Sequence, residues 1–250
     1  MTVEDVSGPS GPLVLLAHGS PDPRHREGIE RLARTVGALA PGLQIHVAYL
    51  DHHGPTPAKA AAAASVGVVA APVPVIPVLL TPAFHSRVDV PAAIAAMNDH
   101  VTPTFVATSA LGPHPLLLVA ALELLGGPQQ ERAGRHTVLF AAGSSDGTAA
   151  RSIATTLRDQ PPTDGSTWHV AALGGGTALE DVLSGLSPAT TDIVPFMVAD
   201  GVLVDRMRLR TGAVGHRLVP GTFSATVALA RLVLVRILDA SSTTDTIHRP

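Results

Sequence analysis

The chain has 250 residues, 46% hydrophobic and only 3% aromatic, with a formal net charge of -3. Such a composition builds a folded interior from Ala, Val and Leu, and it argues against disorder, stacking platforms for single-stranded nucleic acid, and basic footprints for DNA or an anionic membrane. With no Cys and 12 His, disulfides and thiolate chemistry fall away, and any metal must be met by imidazole and carboxylate.

The opening segment MTVEDVSGPSGP carries Glu4 and Asp5 where a signal peptide needs positive charge, so residues 1–10 read as a flexible leader and the protein as cytoplasmic. Leu13–Ala17 is an uninterrupted apolar run, as in a parallel strand covered on both faces. From about His25 to Leu39 an apolar stripe of Ile29, Leu32, Ala33, Val36 and Leu39 recurs near the helical period, and Pro41-Gly42 stops it. Ile45–Leu50 is a second strand, followed by an Ala-rich helix beginning near Pro57. The uncharged stretch Ala60–Phe84 is no membrane span, because Pro72, Pro74, Pro77 and Pro82 interrupt it. Within it, Val73–Leu80 predicts a third strand, and Pro74 and Pro77 predict an edge position or an irregular entry. A helix at Val90–Met97, a strand at Thr104–Thr108 and a helix at Pro115–Leu125 complete a β/α alternation that argues for a parallel sheet flanked by helices.

Gly126–Arg135 is a Gly/Gln/Arg stretch that reads as a linker, and after it the pattern restarts. TVLFAAGSSDG (Thr137–Gly147) echoes LVLLAHGSPDP (Leu13–Pro23), WHVAAL (Trp168–Leu173) echoes IHVAYL (Ile45–Leu50), and DIVPFMVADGVLVDR (Asp192–Arg206) echoes PVIPVLLTPAFHSRVD (Pro74–Asp89). The echoes keep their order at a spacing of about 120 residues, so an internal duplication is expected. The expected architecture is α/β with two similar lobes, at 11–126 and 135–240, joined by a linker at 127–134 and followed by a flexible tail at 241–250.

Ligands of open parallel sheets bind beyond the carboxyl ends of the strands. Three groups fall there in the first lobe: His18 after the first strand, Asp51 (with His52 and His53) after the second, and His85 after the third. Taken singly, each also has a plain structural reading, as a hydrogen-bonded strand-end imidazole or as a turn and helix cap. The duplication favours chemistry. Where the first lobe has His18, Asp51 and His85, the second has Ala142, Gly174 and Leu203 or its neighbours. A packing requirement would have to be met in both lobes, so one active lobe is expected.

The segments LLAHGSPDPR, VAYLDHHGPTPAKA, PVLLTPAFHSRVDVPAAI and ALGPHPLL, which span most of Leu13–Leu125, resemble the sirohydrochlorin chelatases, class II metal chelatases of siroheme and cobalamin synthesis. The second lobe resembles them more faintly. The resemblance implies a chelatase-like two-lobe fold and ATP-independent insertion of Fe(II) or Co(II) into sirohydrochlorin, a tetrapyrrole polycarboxylate. It also implies that His18 and His85 bind the metal and act in its insertion. Asp51 joins them as a candidate catalytic carboxylate, although the family usually has Glu there, and Ala83-Phe84 stands where a Gly is common before the second histidine.

The chemistry agrees. Insertion needs two pyrrole N–H protons removed and the metal stripped of water, and imidazole can serve either task near neutral pH. Ser20, Arg24, Arg26, Arg87 and His114 are the candidates for binding the substrate, with arginine forks suited to carboxylates. Ordinary solvated surface is the competing reading for Arg24 and Arg26, and a helix entry between two prolines for His114. The metal is expected as substrate with no permanently bound cofactor, and two fused lobes would allow a monomer. A non-catalytic metal or tetrapyrrole carrier is the alternative function. A Ser20 hydrolase lacks the Gly that a nucleophile elbow needs after the Ser, and neither GSPDPRHREG nor LGGGTALED completes a nucleotide-binding fingerprint.

Overall fold

The computed structural model describes residues 9–68, 71–81, 84–99, 101–126 and 132–247, with the backbone alone for 84–87 and 242–247. Most of the expected leader, most of the linker and the last three residues therefore lie outside the described residues. In the first half, β1 (Gly11–Ala17), β2 (Leu43–Tyr49), β3 (Val73–Pro77) and β4 (Phe105–Ala107) alternate with α1 (Pro23–Leu39), α2 (Pro57–Ala64), α3 (Phe84–Asn98) and α4 (Leu116–Leu125). All pairings are parallel, in the order β2-β1-β3-β4. The second half repeats the scheme with β5 (His136–Ala141), β6 (Thr167–Ala172) and β7 (Thr191–Phe196), ordered β6-β5-β7 and again parallel. Its helices are α5 (Thr148–Asp159), α6 (Leu179–Leu183), α7 (Val202–Ala213) and α8 (Val227–Ile247). A lone parallel bridge from Leu218 to Ile193 stands where β4 would be.

Alternation along β1 explains the layers. Leu13, Leu15 and Ala17 face an inner core with α1, while Val14 and Leu16 face an outer one against α2 and α3. Both faces are covered, which is why the strand is apolar throughout. α1 starts on the Asp22 carboxylate, which accepts from the Arg24 amide at 3.0 Å, has Pro23 in its first turn, and buries Gly28, Ile29, Leu32 and Val36.

Two expectations about boundaries are corrected. The inner core is shared: Leu13, Leu15 and Ala17 belong to the same cluster as Leu139, Ala141, Val194 and Phe196. The lobes also exchange their last helices, α8 packing on α1 and α4, and α4 on β7. The Glu123 carboxylate on α4 accepts from the amides of Val227 (2.7 Å) and Ala228 (3.0 Å), capping α8, and Arg236 on α8 donates to the carbonyls of Ala110 and Leu111. A division at 126 and 135 thus follows the sequence repeat but not the packing. At the other end, α8 runs to Ile247, so much of the expected tail is helical; Ser241 Oγ bonds back to the Ile237 carbonyl at 3.0 Å.

β3 is central, not an edge strand. Its ladders are short and staggered: Val75–Pro77 pair with β1, and Val73–Val75 with β4. Val75 and Pro77 both present their carbonyls on the β4 side, to Thr108 and Leu111, so the missing Pro77 N–H lies beyond the last β3–β4 pair and disrupts no ladder bond. Among the described residues, no helix is long and apolar enough to cross a membrane.

Candidate active site

β1 delivers the half-buried His18 to the carboxyl edge of the first sheet. Two contacts knit its loop to the one after β2. The Asp51 amide donates to the His18 carbonyl at 2.9 Å, and Gly19 (φ +96°) lies so close that a Cβ would overlap the Asp51 carbonyl oxygen. Only glycine fits both the angle and the approach. Beside this joint an open cavity of about 470 Å³ is bounded by His18, Leu50, Asp51, Pro57, Asp89 and Ala92. The ends of two strands, the start of α2 and the N-terminal half of α3 thereby converge, as the switch-point rule requires.

Asp51 is exposed, and its Oδ1 accepts from the His52 amide at 2.7 Å, with the His52 ring 3.5 Å away; His52 takes the left-handed conformation (φ 64°) that permits this. His85 and Arg87 stand in the first turn of α3, one turn or less before Asp89, but their side chains lie outside the described ones. Among the described residues, no three His, Asp or Glu side chains are set to hold a metal ion.

Several candidates are placed differently from expectation. Ser20 Oγ accepts from the Asp22 amide at 3.2 Å, making it part of the turn into α1. The second lobe has Ser and Asp at the same positions with a different bond between them: Ser144 donates to Asp146 at 2.7 Å, and Asp146 accepts from the Thr148 amide as Asp22 accepts from that of Arg24. Arg24 is committed to Asp22 and, across the lobes, to Asp205 on α7, each at 2.5 Å, and these bonds hold the Asp22 carboxyl below its usual range. Arg26 pairs with Glu30 along α1 at 2.7 Å. His114 accepts from the Leu116 amide at 3.1 Å and lies among Leu80, Leu117, Ile153 and Phe196 between the lobes, because the chain after β4 crosses to the second sheet. Burial there, with Arg236 nearby, lowers its pKa.

Two groups, Asp89 and His25, were not marked by the sequence, and His53 was marked only as a neighbour of Asp51. Asp89 was visible only as the residue four after His85, a spacing that puts both on one helix face. His25, in the first turn of α1, and His53 carry ring nitrogens (Nδ1 and Nε2) that are buried and lack a partner among the described residues. Burial first, then the neighbouring His53 and His18, push the His25 pKa down to about 4, so this ring is neutral at pH 7. His53 packs edge-on against the Tyr49 ring, centroids 5.3 Å apart. Nothing in the residue pattern distinguished His25 from a surface imidazole.

The second lobe repeats the joint without its chemistry. Gly143 (φ +82°) abuts the Gly174 carbonyl as Gly19 abuts that of Asp51, and the Leu173 amide donates to the Ala141 carbonyl as Leu50 does to Ala17, at 3.0 Å in each case. The close approach of glycine and carbonyl is repeated, with Ala142 and Gly174 at the positions of His18 and Asp51.

The CbiX family model matches residues 12–125, nearly the whole of the first lobe. No curated relative matches the chain by sequence. Among solved structures, SirB from Bacillus subtilis with Fe3+ superposes with a TM-score of 0.76 at 19% identity, covering 95% of this chain and 98% of that one. SirB from Bacillus subtilis subspecies spizizenii in complex with cobalt, described as a sirohydrochlorin chelatase, gives 0.73 at 16% identity over 95% and 98%. CbiX, described as the terminal enzyme for biosynthesis of siroheme in denitrifying bacteria, gives 0.60 at 17% identity over 92% and 99%. At these identities the likeness establishes a common two-lobe, chelatase-like fold.

Proposed function

We propose that this chain, whose first lobe matches the CbiX family model, inserts a divalent metal, Fe(II) or Co(II), into sirohydrochlorin without ATP. The observation that carries the reading is the placement of His18 at the carboxyl edge of the first sheet, on a cavity it shares with Asp51 and Asp89. The fold is that of structures described with iron, with cobalt and with siroheme synthesis. The metal is a substrate here, not a resident cofactor, and no permanently bound cofactor is invoked.

In the proposed reaction His18, with His85 from the first turn of α3, receives the hydrated metal and offers imidazole lone pairs in place of water. Asp51 and Asp89 supply negative charge on the same cavity, which favours cation entry and stabilises imidazolium as the pyrrole protons leave. Arg24 and Arg26 are occupied by carboxylates of the chain itself, leaving Arg87 as the candidate partner for the substrate's carboxylates. Imidazole binds both metals, so these ligands alone do not assign the chain to the siroheme or to the cobalamin branch. Reaction inside the cell, in the cytoplasm, follows from the substrate.

The test is metallation of sirohydrochlorin followed by absorbance, with Fe(II) and Co(II) side by side and protein well below substrate. Multiple turnovers by the native chain, lost in His18→Ala, support insertion. Uptake that stops at one equivalent per chain would instead favour a carrier.

A further inference from the structure

The second lobe has lost the imidazoles of the carboxyl edge but holds a pair elsewhere. At the opposite, N-terminal end of the sheet, His136 begins β5 and His169 lies on the adjacent β6. In the parallel register His136 faces Thr167 and His169 faces Val138, so both rings stand on the same side of the sheet. His136 Nδ1 and His169 Nε2 are 3.1 Å apart, ring centroids 5.3 Å, and neither residue is fully buried. Both rings lie on the face of the sheet that carries Val138 and Ala171, opposite the one on which Trp168 and Val170 pack.

We infer that His136 and His169 form a second divalent-metal site, independent of the insertion site and of the function proposed above. Two metal–nitrogen bonds of about 2.1 Å span about 3.0 Å when they meet at a right angle and about 3.4 Å at the tetrahedral angle. The observed 3.1 Å, spanned by a hydrogen bond in the free protein, matches the cis spacing of a six-coordinate ion such as Fe(II), Co(II) or Ni(II), whose remaining positions water would fill. In the free protein the facing nitrogens share one hydrogen bond, so one ring carries its proton on the inner nitrogen. Metal binding moves that proton to the outer nitrogen of the same neutral ring, and no net charge is displaced.

The first lobe supplies a comparison. His46 occupies the strand position of His169, but Pro12 occupies that of His136, and the His46 Nε2 has no partner among the described residues. The chelating pair is therefore an addition of the second lobe and not a relic of the duplication. Its ligand class is a borderline divalent ion, held at an edge of the protein away from the His18 cavity.

The experiment uses the full chain carrying His18→Ala, titrated with Co(II) alone and read by calorimetry and by paramagnetic broadening of imidazole resonances. One Co(II) should bind, with the His136 and His169 resonances broadened first. His169→Ala and, separately, His136→Ala should each weaken it roughly tenfold or more, while His46→Ala should not. Denaturant midpoints identify any variant that fails to fold, and the other member of the pair then carries the test. Co(II) binding unchanged in both single variants, or no binding to the parent, overturns the inference. Because no tetrapyrrole is present, that failure is distinct from failure of the insertion reading.

Discussion

Gly19→Ala and Gly143→Ala apply one perturbation to the two lobes. Each glycine has positive φ (+96° and +82°), and at each a Cβ would overlap a carbonyl oxygen, of Asp51 and Gly174 respectively. The left-handed conformation costs an L-residue about 1–2 kcal/mol. Relieving the overlap must push apart the two loops, which in the first lobe strains the 2.9 Å bond from the Asp51 amide to the His18 carbonyl, worth about 1 kcal/mol. Both variants should therefore lose about 2–3 kcal/mol of stability by urea denaturation. Insertion should respond differently. Gly19→Ala displaces the loops bearing His18 and Asp51, so turnover per folded molecule should fall by roughly a hundredfold or more. Gly143→Ala shifts a joint that bears Ala142 and no ionisable group, and turnover per folded molecule should stay within about a factor of three. Equal losses of turnover at matched folded fraction would refute the assignment of chemistry to the first lobe.

Other outcomes follow from single contacts. His18→Ala should abolish insertion while leaving the denaturant midpoint nearly unchanged, since the ring sits at the rim and not in the core; a large midpoint shift would make it a structural residue. Glu123→Gln weakens the charge that caps α8 and should cost about 1 kcal/mol, read as a lower midpoint without loss of metal binding at His18. For His25 the folded pKa of about 4 lies below the unfolded 6.5, so the unfolded chain takes up the extra proton and stability is lost as pH falls from about 6.5 toward 4. At 1.36 kcal/mol per pH unit the ceiling is about 3 kcal/mol, which partial solvent exposure reduces to roughly 1–2 kcal/mol. His25→Gln should flatten the midpoint-versus-pH curve over that window, and an unchanged slope would show that the ring is not kept neutral by the fold.

Local elements were legible because their signals are local. β1 and α1 lie within two residues of the apolar run and apolar stripe that predicted them, and the echoes in the second half identify β5, β6 and β7. What escaped depends on contacts between distant residues. The central place of β3 follows from staggered ladders that no proline count reveals, and the helix exchange follows from α8 finding α1 and α4. In the site, His18 and Asp51 were marked by their strand-end positions and by their absence from the sister lobe. Arg24 looked the same in sequence whether it faced solvent, a substrate or Asp205, since its partner lies 181 residues away. Ser20 has a counterpart in the second lobe, Ser144, where the neighbouring imidazole is absent.

The exchange of helices bears on how the cavity is held. If α4 and α8 each covered their own sheet, the lobes could hinge about the linker and the carboxyl edges could part freely. Instead each lobe closes its inner face with the other's last helix, and the inner core runs through both. Separating the lobes would expose Leu229, Leu232 and Val233 of α8 together with the faces they cover, a cost proportional to buried apolar area and far larger than any hinge tolerates. The carboxyl edges are then joined by Arg24 and Asp205, and by the close approach of Gly28 on α1 to Ala199 before α7. α1 and α7 are thereby fixed relative to one another, and α1 begins in the loop that starts with His18. Under the proposed function, the second lobe would contribute without supplying a reacting group. It positions the β1–α1 loop from the far side, while α2 and α3 position the cavity from the near side.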